Sequence, residues 1–98
     1  VKPHAFHPAA AEEYAEVARY YADIRPEVGR RFYDEMERAI REILEQPERL
    51  RFFDPPAQRH HSRGFPHAVI LLNQPDRVWS VAVMHGARRP GYWRGRLK

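Results

Sequence analysis

The sequence predicts an α+β domain in which a short strand and two helices precede a run of antiparallel strands. Three observations carry that reading. Residues 8–46 place apolar side chains at helical spacing among many acids, residues 67–73 and 77–85 are nearly continuous β-branched and aliphatic runs, and prolines punctuate the boundaries between these stretches. A chain of 98 residues has room for one hydrophobic core, so residues 1–98 form a single domain whose functional site lies on its surface.

The first element is His4-Ala5-Phe6-His7, a short edge strand ended by Pro8. From Pro8 the apolar stripe Ala10, Tyr14, Val17, Ala18, Tyr21 and Ile24 predicts a helix, with Glu12, Glu13, Glu16 and Arg19 on the solvent side. Pro8 suits the first turn, where its missing N–H costs nothing, and Glu12 and Glu13 are expected to complement the positive end of the helix dipole. Arg25-Pro26 breaks this helix and starts a second that runs to about Gln46, on the spacing of Val28, Phe32, Met36, Ala39, Ile40, Ile43 and Leu44. Pro47 stops it. Opposite charges at four-residue spacing, from Glu27/Arg31 through Arg30/Asp34, Asp34/Arg38 and Glu37/Arg41 to Arg41/Glu45, are expected to support its outer face. Two helices joined so tightly form an antiparallel hairpin, and its apolar stripe requires a partner surface.

A three-stranded antiparallel meander supplies that surface. After the Pro-rich connection Phe53-Asp54-Pro55-Pro56, residues 58–63 read as a polar strand, and 67–73 and 77–85 as strong strands joined by a turn at Gln74-Pro75-Asp76. Strict alternation would put Trp79, Val81, Val83 and His85 on one face of the last strand, and Val78, Ala82 and Met84 on the other. The expected core includes Val17, Tyr21, Phe32, Met36, Ile40, Ile43, Val69, Leu71, Val81 and Val83.

Charge divides the chain. Residues 1–50 hold 8 Lys/Arg against 11 Asp/Glu, whereas residues 51–98 hold 9 against 2. Such polarity suits an anionic partner, either nucleic acid or an acidic protein segment. The chain has no cysteine, which excludes a disulfide framework and thiolate metal ligation and is consistent with a reducing cytoplasm. No apolar stretch reaches membrane-spanning length and the first residues lack a signal-peptide core, so a cytoplasmic protein without membrane contact is expected. The six histidines show no metal-ligand spacing: His60 and His61 would point to opposite faces of a strand, and no acid lies beside them. Neither a metal nor another cofactor is expected.

The densest chemistry follows the last strand, where His85-Gly86-Ala87-Arg88-Arg89-Pro90-Gly91-Tyr92-Trp93-Arg94 interleaves cations and aromatics without an acid. Guanidinium groups fork onto phosphate or carboxylate, imidazole moves protons near neutral pH, and Tyr and Trp stack on bases or anchor a protein partner. Arg59, Arg63, Arg88, Arg89, Tyr92 and Trp93 are therefore the candidate binding residues, with Trp93 also expected to pack against the helices and fix the tail.

The element order, with Ala11-Glu12-x-Tyr14, Tyr20-Tyr21, Ile40-x-x-Ile43-x-x-x-Pro47, Arg63-Gly64-Phe65-Pro66-His67 and His85-x-x-Arg88-x-Pro90-x-Tyr92-Trp93, resembles the ParE/RelE superfamily, toxins of type II toxin–antitoxin (plasmid stabilisation) modules. The resemblance spans nearly the whole chain and implies neutralisation by a cognate acidic antitoxin in a hetero-oligomer. It leaves two targets open. ParE-like members inhibit DNA gyrase by binding, and RelE-like members cleave mRNA on the ribosome. For the nuclease, the resemblance implies a phosphate-handling set at Arg59, His61, Arg63 and His67, with His85, Arg88 and Tyr92 as catalytic groups. The nuclease branch typically carries lysines on its sheet, whereas this chain has only Lys2 and Lys98, both terminal. That departure and the ending after His85 favour the gyrase-binding type.

Overall fold

Helices α1 (Pro8–Ile24) and α2 (Pro26–Glu45) cover one face of a five-stranded sheet built from β1 (His4–Phe6), β2 (Arg51–Asp54), β3 (Ala57–His61), β4 (His67–Asn73) and β5 (Val78–His85). The computed structural model describes residues 2–97, so Lys98 lies outside the described residues. The α+β class and the helices-first order are as the sequence predicts. The sheet order is β1-β5-β4-β3-β2, with β1 parallel to β5 and the other neighbours antiparallel. Two strands therefore extend the expected meander. β1 joins its edge, and β2 occupies part of what reads as a Pro-rich connection, because its prolines fall in the turn after Asp54 and leave the Arg51–Asp54 amides free to pair. β3 ends at His61, two residues before the expected boundary.

The helical hairpin turns on one residue. Arg25, extended at φ −163° and ψ 135°, is at once the C-cap of α1 and the N-cap of α2. Its closeness depends on Gly29, where a Cβ would sit 2.7 Å from the Ala22 Cβ and 2.8 Å from the Ala22 Cα. At the start of α1, the ring Nδ1 of His7 accepts the Ala9 N–H at 3.0 Å, and no acid occupies the first turn. Glu12 and Glu13 thus do not act as dipole partners. The expected four-residue ion pairs of α2 do not form among the described residues either. Arg38 instead bonds Glu35 at 2.6 Å and Glu42 at 2.8 Å, and Glu37 accepts the Tyr14 hydroxyl.

Two apolar layers sandwich the sheet. The helix-side layer joins Phe32, Met36 and Ile43 to Val69, Leu71, Val78 and Val83, with Val17 and Tyr21 packed against it. The opposite layer joins Ala57, Ile70, Leu72, Val81, Ala82 and Met84 to Trp93. A register shift decides which residue goes where: Ile70 pairs with Ala82 but Leu71 pairs with Ser80, so Val81 is an extra residue in β5. Val81 and Ala82 consequently both face away from the helices, while Val83 faces them. The simple alternation expected for β5 fails at this bulge. Trp93 is also displaced from expectation: it is fully buried against the sheet face opposite the helices.

Candidate functional site

The segment after β5 folds back across the sheet and is fastened by one carboxylate. Glu13 of α1 accepts the Val83 amide at 3.0 Å, the Tyr92 hydroxyl at 2.8 Å and both terminal nitrogens of Arg96 at 2.9 and 3.0 Å. Arg96 also reaches the Val81 carbonyl at 2.9 Å. Burial by itself would raise the Glu13 carboxyl, but the guanidinium, the amide and the hydroxyl together hold it below the usual carboxylate range. Burial and the bond to Glu13 push the Tyr92 phenol up to about 12. Sequence reading missed Glu13 and Arg96 as partners, since 83 positions separate them and no local pattern links them.

Two surfaces flank this fastened tail. The first is a cleft of about 340 Å³ on the sheet face away from the helices, bounded by Phe53, Arg59, His61, Met84, Arg88 and Pro90, with His67 reaching it from β4. Here Arg59 stacks on Phe53 with its Cζ 4.2 Å from the ring centroid, and Arg88 stacks on Tyr92 at 4.0 Å. Burial, then the charges of Arg59 and His60, lowers the His61 pKa. The second is a groove of about 410 Å³ beside α1, lined by Val17, Tyr20, Tyr21, Ile24, His67 and His85. Tyr20 and Ile24 are 63% and 58% exposed at its border.

The candidate residues divide between these places. Arg59 and Arg88 converge on the open-face cleft, and Arg89 is exposed close by in the chain. Arg63 does not join them: its amide donates to Glu35 and its guanidinium lies 3.4 Å from Glu42, on the helix side. His60 also faces that side, bonded to Glu42 at 2.7 Å. Tyr92 is engaged by Glu13, and Trp93, fully buried, offers no surface to a partner.

His67 and His85 meet across β4 and β5 with ring centroids 5.0 Å apart. His85 is exposed, and its Nδ1 accepts the Ala87 N–H at 2.9 Å. His67 is buried among Tyr21, Phe32 and the His85 ring, and burial followed by the His85 charge pulls its pKa down to about 4. No group of three or more His, Cys, Asp or Glu capable of holding a metal occurs among the described residues. No helix is long and apolar enough to cross a membrane among them either. Lys2 anchors to Asn73 and to the Gln74 carbonyl, at the end of β4 remote from His67.

The fold is similar to that of a solved chain from the chromosomal ParDE toxin–antitoxin system of P. aeruginosa, with a TM-score of 0.75 over 86% of this chain and 95% of that one, at 8% identity. No curated protein is detectably similar in sequence. The family model described as ParE toxin of type II toxin-antitoxin system, parDE, matches residues 5–90, nearly the whole of the helical hairpin and sheet just described, and the chain accordingly belongs to the ParE toxin family.

Proposed function

We propose that this toxin inhibits growth by binding DNA gyrase, without catalysing a reaction, and that an acidic antitoxin segment neutralises it in a hetero-oligomer. The observation that carries the reading is the state of the residues a nuclease would need as acid and base. His67, which borders both the groove and the cleft, is buried with its pKa pulled down to about 4, and the Tyr92 hydroxyl is already spent on Glu13 with its pKa pushed up to about 12. A general acid and base must both exchange protons at the same scissile phosphate, which this pairing disfavours. The exposed arginines after β5 need move no proton to serve as contacts. Such a target and such a partner place the protein in the cytoplasm.

The groove beside α1 supports the antitoxin reading. Its apolar wall of Val17, Tyr20, Tyr21 and Ile24 suits the apolar side chains of a segment that orders on binding, while carboxylates from that segment meet the cationic half of the chain. Charge reversal at Arg63 and Arg88 is expected to slow association and flatten its salt dependence. Unchanged kinetics in both variants would remove these arginines from the interface.

The deciding experiment pairs gyrase supercoiling with mRNA cleavage on programmed ribosomes, each with added toxin. His85→Gln should leave growth inhibition mostly intact and Arg88→Ala should reduce it strongly. A folded His85→Gln protein without toxicity, beside a wild type that cuts ribosome-bound mRNA and spares supercoiling, would install the endoribonuclease in place of the gyrase-binding toxin.

A further inference from the structure

The two edges of the sheet differ. The β5 edge is lined by β1 and, beyond it, by the side chains of Glu13 and Arg96, whereas β2 ends the sheet on the other side with no strand against it among the described residues. Alternate residues of β2 therefore turn an amide and a carbonyl outward. Phe52, inside this strand, is 63% exposed.

The charges along β2 make its edge complementary to a copy of itself. Arg51 stands opposite Arg59 and Asp54 opposite Ala57, and these partners are two residues apart on β3, so Arg51 and Asp54 lie on the same sheet face. In a regular strand, residues three apart would occupy opposite faces; the register shift at Phe53 brings them together. Neither charge is fully matched within the chain. Arg51 has a like charge across the ladder and joins no ion pair among the described residues, and the Asp54 carboxylate meets Arg94 through Oδ2 alone among them. A lone cation on an edge strand keeps two copies apart, because pairing opposes like charges. Here a cation and an acid stand at opposite ends of one face, and antiparallel pairing sets each against the other.

We propose that two copies of this chain pair antiparallel through β2 about a two-fold axis, joining their five-stranded sheets edge to edge, with Arg51 of each copy beside Asp54 of the other. Such an interface is isologous, so it forms two equivalent ion pairs and stops at the dimer. The two Phe52 side chains, which share the helix side with Gln58, come together near the axis. A strand of four residues buries a small area, and the dimer is accordingly weak. The groove beside α1 is walled by His67 and His85 of β4 and β5, away from β2 in the sheet order, and stays open in each copy. Pairing therefore leaves room for an antitoxin segment on both.

The test is sedimentation velocity of the purified full chain across a concentration series. A reversible monomer–dimer equilibrium with a dissociation constant of about 10–100 μM is expected. Arg51→Asp should weaken the dimer by about tenfold or more, since it opposes like charges at two places, and so should Asp54→Arg. An equimolar mixture of these two variants should recover the wild-type constant within about threefold, because each contact then joins an acid to a cation again. The control is Arg30→Asp, an equal charge change at an exposed position of α2, which should shift the constant by less than about threefold. Circular dichroism confirms that each variant is folded. A chain that stays monomeric up to about 500 μM would leave the edge to a strand of another protein and overturn the proposal. So would equal weakening by Arg51→Asp and Arg30→Asp, or a mixture that associates no more tightly than its components.

Discussion

Glu13 and Arg96 form a two-point ion pair, at 2.9 and 3.0 Å, that ties the end of the chain to the first helix across the edge of β5. The pair sits beyond the end of β1, which covers β5 only from Val78 to Ser80. There it satisfies the Val83 amide and the Val81 carbonyl, groups that a neighbouring strand would otherwise bond. An edge that invites pairing with another chain is thus closed by side chains of the same molecule.

Arg96→Ala would leave the Glu13 charge with little solvent and without its main partner. With side-chain exposures of 18% and 13%, the pair is close to buried, and breaking it should cost about 2–4 kcal/mol. The pH dependence follows in sign. Because the folded carboxyl lies below its ordinary value of 4.5, its contribution is complete above that pH and is lost as pH falls toward the folded value. Urea denaturation should therefore show an acid limb that is shallower in Arg96→Ala. An identical limb in both proteins would mean that the pair contributes nothing.

His67 predicts a separate loss of stability at milder acidity. Its folded pKa of about 4 lies below the ordinary 6.5, so the unfolded chain binds the extra proton first, and stability falls as pH drops from 6.5 toward 4. The loss is expected to reach roughly 2–3 kcal/mol. His67→Phe fits a site already lined by Tyr21 and Phe32, removes the buried Nδ1 that has no hydrogen-bond partner, and should abolish this step. Retention of the step in the variant would assign it to another histidine.

Gly29→Ala sets two effects against each other. Alanine improves helix propensity by about 1 kcal/mol, but its methyl would press on the Ala22 backbone at 2.8 Å. Neither helix can give way without opening the hairpin, so a net loss of about 1–2 kcal/mol is expected. Ile40→Ala, at a position 7% exposed, should cost about 2–5 kcal/mol by leaving a cavity. A denaturation shift under about 0.5 kcal/mol in either variant would contradict its assignment.

The helices were legible because their signals are local. Pro8, Pro26 and Pro47 mark the starts and the stop, and the stripe from Phe32 to Ile43 repeats at one period. What escaped reading depends on distant pairing. β2 is four residues long and becomes a strand only through β3, and the extra residue Val81 is defined only against Leu71 and Ile70 of β4. That one residue reverses the phase of β5, so that Val83 faces the helices while Trp79 and Val81, which alternation would place with it, stay on the face where Trp93 packs. The candidate site was legible as a composition of arginine, histidine and aromatics. Its division was not, since Arg63 follows the end of β3 and is drawn to Glu35 and Glu42 on the helix side.

The fastened tail changes how toxicity should be dissected. Truncation before Tyr92 removes a candidate binding residue, but it also removes the fully buried Trp93 and the Arg96 partner of Glu13. Loss of the Trp93 side chain alone should cost about 3–5 kcal/mol, a large share of the stability of a domain this small. The truncated chain is therefore expected to be non-toxic because it is unfolded, and a melting curve should show no cooperative transition. Arg88→Ala with Arg89→Ala makes the cleaner variant, since both side chains are exposed and neither holds an ion pair among the described residues. It should keep a melting temperature within a few degrees of wild type, as surface substitutions do, while growth inhibition falls sharply. Full toxicity in a folded double variant would move the target-binding surface away from the segment after β5 and toward the groove beside α1.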